Sequence, residues 1–190
     1  MAPRSLNIDD CVKQGKAMWC FLAAYLTVVV HKNPNNRFIR LLKKQYSLTS
    51  QSNRVFMQSV KSAVYPQRKR SVGRSTGFKL DEIRLLNKVY KLDAPLSDKI
   101  SFSLENVQGN TLMEKCYNFF DSPTYDNKYV ILKFKQPPHF CVLHMIDRSY
   151  GIRYYDPRET ANCSFHDVIC EDTDKINNHD LGPLAYCYTV

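Results

Sequence analysis

The hydrophobic pattern of this chain changes period near Pro95, and that change limits the folds open to it. Before Pro95 the apolar residues recur at helical spacing. Residues 17–30 are an apolar run that reads as a buried helix over 17–31, with Lys16 before it and His31 and Lys32 after. Pro34, Asn35 and Asn36 then lead into a Phe38, Ile39, Leu41, Leu42 stripe, a second helix ending near Ser47. A third is expected over 52–64, with Val55, Phe56, Val60 and Val64 on one side, stopped by Pro66. A fourth is expected over 80–92, with Ile83, Leu86, Val89 and Tyr90 inward.

After Pro95 the period becomes two, as half-buried strands require. Residues 100–104 and 128–134 read as strands, 112–120 as a short helix between them, and Pro137-Pro138 as the end of the second strand. A strand over 139–146, a turn over 147–151, a returning strand over 152–155 and a last strand over 184–190 complete the half. A helical half followed by an antiparallel half is an α+β arrangement. The expectation is a single domain over 1–190, with a helical subdomain over about 8–95, a β subdomain over 96–190 and a groove between them for a ligand.

Composition excludes several classes. At 190 residues and 44% hydrophobic, the chain can bury a core without staples. No stretch approaches the ~20 apolar residues of a membrane-spanning helix. Met1, Ala2, Pro3, Arg4 and Ser5 have no apolar segment behind them, so no signal peptide is expected. The seven cysteines, at 11, 20, 116, 141, 163, 170 and 187, are odd in number and form no CxxC pair, which fits a reducing compartment. A soluble, intracellular monomer is expected. The net charge is +9, with Arg68, Lys69, Arg70 and Arg74 in one stretch. That stretch reads as a solvated loop, with contact to RNA or another anionic partner, or nuclear targeting, as the alternatives.

One constellation carries chemistry. Cys20 lies one turn into the expected first helix, where the positive end of the helix dipole favours the thiolate. Gln14, in a polar Gln14-Gly15-Lys16 entry, can donate to an oxyanion together with the Cys20 N–H. Cysteine is also a common core residue, so this segment alone does not decide the matter. The second half supplies a base. His139 heads a strand, and the returning strand delivers Asp156 between Tyr155 and Pro157. An acid there can orient an imidazole and stabilise its charged form.

His144 is the rival base, but alternation puts it on the strand face opposite His139. If Arg148-Ser149 is a two-residue turn, Cys141 opposes Asp156, and His139 shares a face with the acid. A slip of one residue would favour His144 instead. His139 is preferred because it follows the Pro137-Pro138 bend, whereas His144 lies mid-strand among apolar residues. Cys163, His166, Cys170 and His179 lack the regular spacing of a structural zinc site. Neither a metal nor any other cofactor is expected, and no Walker A or GxGxxG segment supports nucleotide chemistry.

The order Cys20, His139, Asp156, the Gln-x5-Cys spacing and the helix-then-sheet layout resemble the papain-like cysteine peptidases over roughly residues 8–160. The compact form is most similar to viral members, the picornaviral leader proteases and the papain-like protease domains of nidoviruses, a torovirus among them. The resemblance implies amide hydrolysis, with Cys20 as nucleophile, His139 as base, Asp156 as orienting acid and Gln14 in the oxyanion hole. It implies polypeptide substrates, viral polyproteins or proteins carrying ubiquitin or a ubiquitin-like modifier, and the host cytoplasm as the setting. Here Phe21 follows the nucleophile and Trp19 precedes it, whereas papain-type enzymes usually place an aromatic, often Trp, after it. An ovarian-tumour-type deubiquitinase and a non-enzymatic basic RNA- or host-factor-binding domain are the competing readings.

Overall fold

The computed structural model describes residues 11–12, 19–45, 77–101, 107–110, 115, 118–119, 128–135, 138–147, 151–157 and 184–190. Among these residues it has three helices and an antiparallel sheet of five strands, an α+β composition. The helices are α1 (Cys20–Lys32), α2 (Arg37–Gln45) and α3 (Leu80–Tyr90). The strands are β1 (Ile100–Ser101), β2 (Lys128–Phe134), β3 (His139–Asp147), β4 (Gly151–Tyr155) and β5 (Leu184–Thr189). They fall into two compact units that part between Pro95 and Leu96, the helices in one and the strands in the other. The helix expected over 52–64 lies outside the described residues, as do most of 112–120 and the end of the strand expected over 100–104.

In the helical unit, α1 is buried on every side from Cys20 to His31. A helix apolar all round has no solvent face to offer, and its sequence leaves it no other place. Two of its polar side chains, Thr27 and Tyr25, find partners inside the unit. The buried Thr27 hydroxyl donates to the Ala23 carbonyl at 2.9 Å and accepts the Val12 N–H at 2.9 Å. The Tyr25 hydroxyl lies 3.0 Å from the Ala94 carbonyl and 3.1 Å from Asn87 Oδ1, which also accepts the Ala94 N–H. Burial raises the Tyr25 phenol well above its ordinary pKa, so it remains a neutral donor.

Asparagines set the helix ends. Asn36 Oδ1 accepts the Phe38 N–H at 2.8 Å, capping α2. Asn33 Nδ2 donates to the Leu92 carbonyl at 2.6 Å and Asn36 Nδ2 to the Lys91 carbonyl at 2.9 Å. They hold the end of α3, where Lys91 takes a left-handed conformation at φ 49°. At the other end of α3 the Glu82 carboxylate accepts the Lys79 N–H at 2.8 Å. The inward face of α3 is narrower than expected. Ile83 and Leu86 are buried, but Val89 is 52% exposed, and the half-buried Tyr90 stacks on Phe38 of α2 at 3.9 Å. The short Phe38–Tyr90 stack closes that end, and Val89 is left beyond it.

In the sheet unit the strand order is β1-β5-β2-β3-β4. β2 and β3 pair without a break from Lys128 opposite Met145 to Phe134 opposite His139. β4 pairs with β3 so that Val142 faces Tyr155, and a register shift falls between Met145 and Asp147, which opposes Gly151. The two-residue turn expected at Arg148-Ser149 lies outside the described residues, but the Asp147–Gly151 pairing leaves three residues between the strands. The bulge absorbs the difference, and the body of the pairing keeps the register on which the sequence argument relied. β5 is fastened by the Ser97 N–H to the Thr189 carbonyl and the Thr189 N–H to Ser97 Oγ, each 3.0 Å, and by the Val190 N–H to the Tyr129 carbonyl at 3.0 Å.

The Thr27 bridge makes a direct prediction. Thr27→Val keeps the volume of the side chain and strands the buried Val12 N–H, at a cost of about 1–3 kcal/mol. Urea unfolding should show a lower midpoint at an unchanged slope, which separates lost stability from a changed unfolded state.

Candidate active site

Three of the four candidate residues lie among the described residues, and Gln14 lies outside them. So do the basic stretch at 68–74 and the Cys163, His166, Cys170, His179 set.

Cys20 is the first residue of α1, not one turn in, with Trp19 in the N-cap position. The intrahelical ladder starts with the Ala23 N–H to the Trp19 carbonyl at 2.9 Å. The amides of the first turn thus point out of the N-terminal end of the helix, beside the Cys20 side chain. This is the end at which a helix favours negative charge. Cys20 is 8% exposed, whereas Cys11 and Cys187 are 0%.

His139 is the first residue of β3, and Asp156 immediately follows β4. Extending the Val142–Tyr155 register by one residue sets Asp156 level with Cys141, on the His139 face of the sheet. His139 Nε2 lies 2.6 Å from Asp156 Oδ1, with both side chains buried. With the acid ionised, Nε2–H is the donor, and Nδ1 is the nitrogen left to exchange a proton with a reactant. Cys141 belongs to the same cluster, for donor atoms of His139, Cys141 and Asp156 lie within 4.8 Å of one another. The sequence sets Cys141 on the His139 face and opposite Asp156, but gives no reason to assign it a chemical role.

His144 occupies a different environment. It opposes Tyr129 across the β2–β3 pair and stacks on that ring, with centroids 4.4 Å apart and planes 11° from parallel. It is fully buried, on the opposite face from the His139–Asp156 pair. Its packing is that of a core side chain.

Position separates the cysteines chemically. Cys187 sits inside β5, and burial pushes its thiol up to about 12. No protein-family model, no curated protein and no solved structure matches the chain.

Two outcomes are expected. Mild alkylation of the folded, reduced protein near pH 8 should leave Cys187 unmodified, since so little of it is thiolate there. Peptide mapping by mass spectrometry reads the result. Replacing Asp156 by Asn should shift the low-field Nε2–H proton resonance of His139, because the charged acceptor is lost, while His144→Phe should leave that resonance in place.

Proposed function

We propose that this chain is a papain-like cysteine peptidase of viral type, with Cys20 as nucleophile, His139 as its proton acceptor and donor, and Asp156 as the acid that orients the ring. The observation that carries the reading is the buried 2.6 Å hydrogen bond between His139 and Asp156. A carboxylate on Nε2 fixes the ring orientation and stabilises the imidazolium that forms when Nδ1 takes a proton. The helix N-terminus at Cys20 supports the other half, since it favours a thiolate.

In this mechanism the Cys20 thiol gives its proton to Nδ1 of His139. The sulfur attacks the substrate carbonyl, and the oxyanion that develops is stabilised by the Cys20 N–H and the Gln14 amide. The imidazolium then protonates the leaving amine, and the carbon–nitrogen bond breaks to give a thioester. Water, giving a proton to the ring, hydrolyses the thioester and restores the thiol. The substrates proposed are peptide bonds of a viral polyprotein, or isopeptide bonds to ubiquitin or a ubiquitin-like modifier in the host cytoplasm.

The test is covalent capture. A ubiquitin-derived C-terminal electrophile and a small peptide-like electrophile should each be tried against the reduced protein, and the modified residue mapped by mass spectrometry. Modification at Cys20, lost in His139→Ala, is expected. Capture at another cysteine overturns the assignment. With a substrate in hand, Cys20→Ala should reduce turnover by about 10⁶-fold, and adding His139→Ala should reduce it little further, because the two act as a unit. Gln14→Ala should cost roughly 10²–10³-fold in turnover with little change in affinity. A Cys20→Ala protein with full activity ends the proposal.

A further inference from the structure

The His139 face of the sheet carries a donor set that the peptidase mechanism does not use in full. His139 and Cys141 are neighbours on that face of β3, and the β3–β4 register sets Asp156 level with Cys141. A ring nitrogen, Sγ and a carboxylate oxygen from these three buried residues lie within 4.8 Å of one another. We propose that His139, Cys141 and Asp156 form a binding site for one Zn²⁺ ion, with a water in the fourth position. The assignment goes beyond the peptidase reading and does not require it.

The donor chemistry selects the ion. Thiolate, imidazole and carboxylate together suit Zn²⁺, whereas Mg²⁺ and Ca²⁺ take oxygen donors. The geometry is within reach. Zinc bond lengths of about 2.0–2.3 Å place tetrahedral donors roughly 3.3–3.7 Å apart. The His139–Asp156 contact, at 2.6 Å, must open by somewhat less than the width of an atom, and the other donors must draw in. Side-chain rotation supplies both movements, while the paired strand β3 fixes the Cα positions of His139 and Cys141 and Asp156 follows directly on β4.

Charge balance favours occupancy. A thiolate and a carboxylate together neutralise Zn²⁺, so the loaded site places no net charge among buried groups. On binding, the Nε2 proton shared with Asp156 shifts to Nδ1, and the Cys141 thiol proton leaves to solvent. Zinc then holds the nitrogen that Asp156 held, and Nδ1 carries a proton. A ring in that state cannot accept a proton from Cys20, so in a peptidase the ion would be a reversible off-switch.

The test is a titration of the full-length, reduced, chelator-stripped chain with Co²⁺, followed by displacement with Zn²⁺. One ion per chain is expected, with a thiolate-to-cobalt charge-transfer band and the visible bands of a tetrahedral ion. Cys141→Ala should abolish the charge-transfer band and weaken Zn²⁺ at least about 100-fold, since loss of mere supporting partners already costs about 10–100-fold. His139→Gln, a second variant in case the first does not fold, should weaken Zn²⁺ similarly while far-ultraviolet circular dichroism stays native. Cys20→Ala, Cys163→Ala and Cys170→Ala should retain the band. A band that survives Cys141→Ala, or that disappears in one of those three, places the ion elsewhere and overturns the site. So does the absence of any band in the wild-type chain. Zinc binding without hydrolysis would leave the metal site standing and remove the peptidase. Hydrolysis indifferent to Zn²⁺, with no cobalt band, would do the reverse.

Discussion

The buried contact between His139 and Asp156 depends on a register, and the register depends on burial. β3 is paired on both sides, by β2 and by β4, and its described side chains are buried on both faces. A slip of one residue against β4 would turn Tyr154 and Tyr155 to the wrong faces and separate the acid from the ring. Many apolar contacts therefore enforce one polar contact. That direction of dependence matters because burying a carboxylate strips its water at a cost of several kcal/mol, which a hydrogen bond from a buried ring only offsets. The sheet holds the pair together; the pair does not hold the sheet. Deleting one partner leaves a buried polar group without this hydrogen bond, which costs about 1–3 kcal/mol and more where the group left is the carboxylate. Functional loss in an alanine variant at either position must therefore be separated from loss of the fold, and the amide variant of the acid is the sharper probe.

The helical unit follows a related logic with neutral groups. α1 is too apolar to present a face to water, and the hydroxyls of Thr27 and Tyr25 that it carries inward each meet a partner. Asn87 meets the Tyr25 hydroxyl, and Asn33 and Asn36 meet carbonyls at the end of α3, because an amide donates and accepts at once and can join separate segments. The Lys91 carbonyl, held by Asn36, shows the consequence. The chain leaves α3 through a left-handed residue that is not glycine, a conformation that persists only where the surroundings over-determine it.

Much of this arrangement was legible in the sequence because it depends on period. The switch at Pro95, the strands expected at 128–134 and 139–146, and the pairing of Asp156 with the His139 face all follow from alternation plus a short hairpin. What was not legible depends on contacts between distant segments. Val89 satisfied the helical pattern of α3, yet the Phe38–Tyr90 stack decides that it is exposed. The first helix was expected to begin upstream of Cys20, because helix propensity does not mark a boundary without a capping residue, and Trp19 is not a strong one. The bulge at Met145 and Asp147 leaves no compositional trace, and the simple turn reached the right register only because the bulge compensates. Cys141 was passed over for another reason. It served only to mark the register opposite Asp156, and a cysteine in an apolar strand otherwise looks like packing.

That last point extends to the other thiols. Cys20 and Cys187 share a side chain, and residue type alone gives them the same reactivity. One opens a helix, where the backbone favours negative charge; the other lies inside a paired strand, where burial raises the thiol far above neutrality. Cys141 is buried as fully as Cys187, but it has a histidine and a carboxylate for neighbours, so a cation could stabilise its thiolate where solvent cannot. Three cysteines thus occupy three electrostatic settings. What each can do is set by the dipoles and charges that its backbone position brings near the sulfur.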